Sequence, residues 1–278
     1  MFSFIIQHLS AELPMQKTFQ PEMVSKLDHV VINVRADMDA AEIEFGNLGF
    51  TITPRGFHTL GSINHLMIFE TDYLELIGIP EGGETKRADL LTAPLGINGL
   101  VFKSEDVDLT FKKLKELGMD GEPPRSFSRP VEIDGTMVDA KFRTVSVRPD
   151  VFPEGRVYFC EHGTPELVWR KEWQSHKNKI TAVAEMVVVT TTVPETAKNY
   201  ADLVGSEVEM LTNGVGAVAT ADILITICSP ARYRDRYGES ASDLVNRSSM
   251  FGALVFTSLE KPRVVRLPVY NSVLEFKN

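Results

Sequence analysis

Apolar positions along the chain follow two periods that alternate in a fixed order. From Lys26 the run LDHVVINV is apolar and β-branched, which predicts a buried strand. In ADMDAAEIEFGNLGF, which follows, Met38, Ala41, Ile43, Phe45 and Leu48 recur at helical spacing, and Gly49 supplies a stop. Three short strand candidates come next, TITPRGFH, INHLMIFE and YLELIGIP, separated by Pro54, Gly61 and the turn-like Glu70-Thr71-Asp72. The unit over residues 27–80 is therefore β-α-β-β-β.

The same order returns from Ile97. NGLVFKS reads as a strand, and VDLTFKKLKELGM reads as a helix with Leu109, Leu114 and Leu117 on its apolar side, ended by Gly118. The Pro- and Gly-rich stretch GEPPRSFSRPVEIDG reads as a long loop or distorted hairpin inside this second module. Laying Gly118 on Gly49 sets Asn98 opposite His29. A third copy starts at Ile180, where Gly205 matches Gly49, Glu185 matches His29 and Ile225 takes the position of Glu75. FGALVFTS, from Phe251, reads as a fourth opening with no helical stretch behind it.

Such units are too long for solenoid repeats, and one of them alone cannot bury both faces of its small sheet, so pairing is expected. The expected fold is α+β, with repeated βαβββ modules paired into a cupped mixed β-sheet and helices outside. The expected organisation is a lead-in at 1–26, paired modules at 27–174 (27–80 and 97–174) holding the candidate cup, and a third module with a partial fourth at 175–278.

The bulk numbers narrow the setting. The chain of 278 residues, 43% apolar and 24% charged, fits about two globular domains. No segment approaches the roughly 18 apolar residues of a membrane helix. Met1 to Leu9 is apolar but lacks a basic n-region and a small-residue cleavage site, so it reads as a lead-in rather than a signal peptide. Two cysteines, Cys160 and Cys228, are too few for a disulfide framework and point to a reducing, cytoplasmic compartment. A formal charge of −9 opposes nucleic-acid binding. The expected partner is a small molecule or a second copy of the chain. Phosphate-binding, dinucleotide-binding and serine-hydrolase motifs do not occur.

At LDHVVINV, RGFHTLGSINH, YLELIG and RVYFCEHGTPELVW the chain resembles the glyoxalase-like branch of the vicinal-oxygen-chelate superfamily. The resemblance covers about residues 26–176 and reaches 180–230 by topology alone. It implies a histidine on the first strand of a module, here His29, and a glutamate on its last, here Glu75. It also implies a divalent metal inside the cup. The superfamily includes isomerases, dioxygenases, epimerases and non-catalytic sequestering proteins, so the resemblance names a fold before it names a reaction.

Strand alternation adds a physical argument. His29, Val31 and Asn33 share one face, as do Tyr73, Glu75 and Ile77. An unpaired carboxylate in YLELIGIP would be costly to bury, so Glu75 needs a metal, a basic partner or water; a structural salt bridge or a solvated cup lining would also satisfy it. His29 taken alone reads equally as a hydrogen-bonded core residue. Glu166, in EHGTPELVW, sits where the family carries its second strand-borne glutamate, or else pairs at the surface with Arg170 or Lys171. With His29 and Glu75 it would make a set suited to Zn²⁺, Fe²⁺, Mn²⁺ or Ni²⁺. Asn98 stands where the fourth ligand is expected and is a weak ligand; with Asn64 and His65 it is a candidate substrate contact. His58 and His162 are candidate acid/base groups, and His162 is the alternative third ligand; both, like Asn64, read equally as ordinary loop-anchoring groups. His176 reads as structural.

The third module carries no such set and is expected to close the architecture or form an interface. RYRDRYGESASD, from Arg232, reads as a solvated helix or loop. Two functions follow. One is a metal-dependent lyase, isomerase or dioxygenase acting on a small oxygenated metabolite; the other is a binding or sequestering protein of the same fold.

Overall fold

The computed structural model describes residues 24–82 and 87–278, so the lead-in at Met1 to Leu9 lies outside the described residues. Module one runs β1 (Leu27–Arg35), α1 (Met38–Asn47), β2 (Gly56–Phe57), β3 (Ile63–Ile68) and β4 (Tyr73–Gly78). TITPRGFH yields only the two residues of β2, because Pro54 interrupts it. After the short helix α2 (Ala88–Thr92), module two runs β5 (Gly96–Lys103), α3 (Val107–Leu117), β6 (Arg125–Ile133), β7 (Thr136–Ser146) and β8 (Arg156–His162). The Pro- and Gly-rich stretch is thus a regular strand, β6, paired antiparallel with β7.

The eight strands form one curled mixed sheet in the order β2-β3-β4-β1-β5-β8-β7-β6. Central β1 and β5 are antiparallel, while β4 runs parallel to β1 and β8 parallel to β5, which relates the modules by an approximate twofold. Helix α3 starts where Asp106 accepts from the N–H groups of Asp108 and Leu109, and it ends at Gly118, φ 68°. It buries Val107 and Leu114; Leu109 and Leu117 face solvent, so the apolar stripe lies partly elsewhere than the sequence pattern predicts.

The second sheet has seven strands. Its first module is β9 (Ile180–Thr190), α4 (Val193–Val204), β10 (Val208–Met210), β11 (Gly216–Ala219) and β12 (Leu224–Cys228); helix α5 (Pro230–Tyr237) follows. The partial fourth module contributes β13 (Ser249–Ser258), β14 (Arg263–Leu267) and β15 (Ser272–Lys277) without a helix. Central β9 and β13 repeat the antiparallel pairing of β1 and β5. The outer, helix-bearing faces of both sheets merge into a single core, with Val30, Ile32 and Phe45 on one side and Met186, Val188, Leu254 and Phe256 on the other. Backbones meet closely there. Gly96 has φ +100°, and a Cβ on it would stand 1.8 Å from the Tyr270 carbonyl oxygen, so only glycine fits. Asp72 bridges the two sheets by accepting the Val183 N–H at 3.2 Å, and burial pushes its carboxyl up to about 7 against these donors.

The second cup is closed from within. Tyr233 and Tyr237 of α5 are buried against Val187, Val189 and Val255, so the run from Arg232 is a core-filling helix rather than a solvated one. Strand register also corrects the position opposite Glu75. Thr226 lies beside Val187 as Glu75 lies beside Val31, whereas Ile225 points into the shared core. Arg236 reaches into this cup and bonds Glu185 at 2.6 Å and Glu275 at 2.7 Å, placing a guanidinium between two carboxylates.

Two outcomes follow from these contacts. Arg236→Met removes the cation between Glu185 and Glu275, leaving Lys277 on Glu185 at 3.3 Å and the Tyr237 hydroxyl on Glu275 at 2.8 Å, and should lower unfolding stability by about 1 kcal/mol in urea titrations, less than for a fully buried pair because the guanidinium is partly solvated. No change in midpoint would mean the clamp is not structural. For Asp72, the folded carboxyl titrates at about 7 against an ordinary value of 3.8. The native state therefore holds a proton that the unfolded chain has lost, and stability should fall as pH rises between these values. Asp72→Asn should flatten that decline.

Candidate active site

The cup of the first sheet is organised from a bulge in β1. Leu27 pairs with Phe102 and His29 with Val101, so Asp28 is an extra residue that leaves the regular alternation. Its carboxylate is fully buried, and one oxygen, Oδ1, lies 2.6 Å from His29 Nδ1 and 3.0 Å from His162 Nε2. Burial alone would raise this carboxyl, but the hydrogen bonds from His162 and His29 outweigh it and hold the group well below the usual range. An ionised Asp28 only accepts, so both imidazoles donate to it. Consequently His29 carries its proton on Nδ1 and turns the Nε2 lone pair into the cup.

Two groups approach that lone pair and a third covers the face of the ring. The Tyr158 hydroxyl donates to it from 3.1 Å, Glu75 Oε2 lies 3.7 Å away, and the Tyr73 ring stacks on the imidazole with centroids 4.4 Å apart. Burial pushes the Tyr158 phenol well up, so it stays protonated. Glu75 accepts from Asn64 Nδ2 at 2.7 Å on its other oxygen. Burial would raise its carboxyl, yet His58, His29 and the Asn64 amide lower it below the usual value, and it stays ionised. His58 Nε2 lies 3.3 Å from Asn64 Nδ2 and 3.8 Å from Glu75 Oε1, and its Nδ1 is 2.9 Å from Ser62 Oγ. Burial pushes His58 down to about 4; Glu75 opposes this and Arg129 and Arg87 add to it, so the ring is neutral at neutral pH.

These groups sit on the floor of a cavity of about 1090 Å³, walled by Tyr73, Phe127, Phe142 and Tyr158 and edged by Arg129 and Arg156. Asn33 anchors α2, whose residues Ala88, Asp89 and Thr92 line one side, by donating to the Leu90 carbonyl at 2.9 Å. Gly56 opens another. A Cβ there would stand 2.3 Å from Asn64 Oδ1 and 2.4 Å from Arg129 Cδ, so its absence lets Arg129 fold over the cup beside Asn64.

Of the residues singled out in the sequence, His29, His58, Asn64, Glu75 and Asn98 line this cavity. His65 does not. It points to the opposite face of β3, with Nδ1 2.7 Å from the Thr53 carbonyl and Nε2 3.3 Å from Glu42, because β3 alternates and Asn64 takes the cup side. His162 stands behind His29, where it positions Asp28. Glu166 is not on the last strand of module two: β8 ends at His162, and Glu166 is exposed in the 3-10 turn Pro165–Leu167. His176 is structural, receiving the Thr51 N–H at 3.0 Å and bonding the Ile68 carbonyl at 2.8 Å.

Strand register shows what occupies the other positions. Val30 and Ile32 face the shared core in β1 as Leu100 and Phe102 do in β5, which makes Gly99 the counterpart of His29 and makes the Asn98 bulge the counterpart of the Asp28 bulge. The alignment on the helices is one residue out because module one carries an extra residue, Arg35 at φ 51°, between strand and helix. Glu75 pairs with Val31, and Tyr158 pairs with Val101 at the matching position. Tyr158 therefore stands where a second carboxylate was expected. Asp28, Tyr158, Arg129 and Arg156 are the site residues that sequence reasoning missed.

Two groups fit the donor chemistry of a divalent ion. His29 Nε2 and Glu75 Oε2, 3.7 Å apart, have nearly the spacing of ligands on one ion, with Asp28 supporting the imidazole from behind. Asp28, Cys160 and His162 have donor atoms within 4.8 Å of one another, and the buried Asp28 Oδ2 and His162 Nδ1 have no partner among the described residues.

Comparison with known proteins agrees with this architecture. A family model described as a glyoxalase-like domain matches residues 27–204. No curated protein matches the chain. Among solved structures, a hypothetical protein from Staphylococcus aureus superposes with a TM-score of 0.70 at 12% identity, covering 91% of this chain and 99% of that one. A mutant 4-hydroxymandelate synthase from Streptomyces coelicolor gives 0.53 at 17% identity, covering 85% of this chain and 72% of its own. A fusion of a xylose isomerase-like TIM barrel with 4-hydroxyphenylpyruvate dioxygenase gives 0.51 at 14% identity, covering 89% of this chain and 40% of its own. At these identities the structural likenesses speak for the fold alone. The family match spans well over half of the chain and includes the whole first cup, and the chain belongs to the glyoxalase-like domain family.

Proposed function

We propose that the chain is an enzyme that moves a proton on a small oxygenated molecule held in the first cup, a lyase or isomerase reaction, with His29 and Glu75 facing the reacting atoms. The observation that carries the reading is the His29 Nε2 lone pair, fixed toward Glu75 by the buried Asp28. A base is effective when its tautomer and direction are set before the substrate arrives. In this reading the Glu75 carboxylate accepts a proton from the substrate, and His29 Nε2 accepts or returns one at a neighbouring oxygen. Asp28 stabilises the imidazolium formed when His29 takes a proton. Tyr158 donates its hydroxyl toward the same point, and neutral His58 with Asn64 holds Glu75 in place.

His29 and Glu75, with the Tyr158 hydroxyl beside them, are the residues that would hold a divalent ion in the cup, and such an ion would supply Lewis-acid polarisation of a substrate oxygen. The proton-transfer class is favoured over dioxygen chemistry because Gly99 and Tyr158 stand at the two remaining ligand positions, leaving proton-transfer groups as the main chemical equipment of the cup. The two free cysteines, Cys160 and Cys228, are buried and suit a reducing cytoplasmic setting. Among the described residues no helix is long and apolar enough to cross a membrane.

The test is a turnover screen of small carbonyl and hydroxy-carbonyl compounds, followed by variants and metal analysis by mass spectrometry. Glu75→Gln and Asp28→Asn should each lower turnover by about 10²-fold or more, and Glu166→Gln should leave it unchanged. His29→Ala and Glu75→Gln should lose any retained transition metal, which Glu166→Gln should keep. Full activity in Glu75→Gln would end this reading. Tight binding without turnover of any compound would favour a sequestering protein.

A further inference from the structure

The cup holds more positive charge than its own carboxylates neutralise. Arg129 is 6% exposed and lines the cavity, yet its guanidinium makes no hydrogen bond or ion pair among the described residues. Arg156 lines the same cavity; its Nε and Nη2 are buried and have no hydrogen-bond partner among the described residues, and its guanidinium carbon lies 5.7 Å from the Tyr158 ring centroid. Glu75, the carboxylate of the cup floor, makes no ion pair within 4 Å with either arginine and is engaged by Asn64, His29 and His58. Leaving buried guanidinium donors unsatisfied is costly, and a ligand oxyanion is the natural acceptor for a planar fork of N–H groups. Phe127, Phe142, Tyr73 and Leu66 supply an apolar part of the wall, while Asp89, Asp120, Glu122, Arg87, Arg125 and Arg148 line other parts of it.

We infer that the ligand of the first cup is an organic oxyanion, an apolar body carrying a carboxylate or phosphate group that Arg129 and Arg156 receive. This deepens the proposed function and rests on its placement of the ligand in the first cup. The anionic head sits at the arginine edge and the reacting carbon over His29 and Glu75, so head-group recognition and proton transfer are assigned to different side chains. Gly56 belongs to the receptor because its missing side chain gives Arg129 its position.

Binding is measured by calorimetry at fixed ionic strength with three probes of one shape: phenylacetate, phenyl phosphate and the neutral phenylacetamide. At least one anion should bind the parent protein about tenfold or more tightly than the amide. Arg129→Gln and Arg156→Gln should each remove about tenfold of that affinity. Gly56→Val, which keeps both arginines but displaces Arg129, should weaken binding in the same direction. Urea midpoints close to the parent value establish that the variants fold. Preference for phenylacetate identifies a carboxylate head group, and preference for phenyl phosphate identifies a phosphate. Equal binding of the amide and both anions, or undiminished anion binding in both arginine variants, would overturn the inference. Turnover plays no part in the readout: a chain that binds anions through both arginines but transforms no compound contradicts the proposed function and leaves this inference standing.

Discussion

The arrangement of the first cup depends on one buried charge. Asp28 has lost all contact with solvent, and among the described residues two imidazole N–H groups compensate its ionised Oδ1. Removing a carboxylate from water is expensive, so the pair of hydrogen bonds is obligatory, and it dictates the tautomer of both rings. The direction of the His29 lone pair and the donation from Tyr158 follow from that tautomer, while Asn64 holds Glu75 beside them. The bulge makes it possible, since a regular strand would send neighbouring Asp28 and His29 to opposite faces.

The two sheets show the same frame put to different uses. In the first, the central strand presents His29, the last strand of module one presents Glu75, and the space above them is open. In the second, the matching central-strand position holds Glu185, Glu275 comes from the last strand, and Arg236 lies between them on a helix that fills the cup. A protein cation thus occupies the second cup, while a wide cavity remains in the first, with Arg129 and Arg156 unpartnered among the described residues. Packing the helix-bearing faces of both sheets into one core leaves the two cups on opposite sides, so closing one does not obstruct the other.

Much of the fold was legible because it is written in periodicity. Strand, helix and strand order came from the apolar spacing, and the cup-facing set of His29, Asn33 and Glu75 came from simple alternation. What alternation cannot encode is a bulge, so Asp28 was not singled out and Asn98 was matched to His29 instead of to Asp28. The Arg35 insertion displaced the helix-based alignment by one residue, and the long β6–β7 hairpin shifted the last strand of module two further still, so Tyr158 was not matched to Glu75. Glu166 was misplaced because a glutamate after a Gly-Thr-Pro turn looks like the start of a strand, while Pro165 in fact opens a 3-10 turn. Arg129 and Arg156 could not be seen as a pair, since they come from strands separated by β7 and only the curl of the sheet brings both to one cavity.

The tautomer of His29 is the most direct measure of the account. Long-range ¹H–¹⁵N correlation spectra of imidazole-labelled protein, assigned through His29→Gln and His162→Gln, separate protonated from unprotonated ring nitrogens at neutral pH. His29 should show a proton on Nδ1, hydrogen-bonded and shifted downfield, with an unprotonated Nε2, and this pattern should disappear in Asp28→Asn. A His29 that is protonated on Nε2 and bare on Nδ1 in the parent protein would contradict the arrangement from which the proposed chemistry follows.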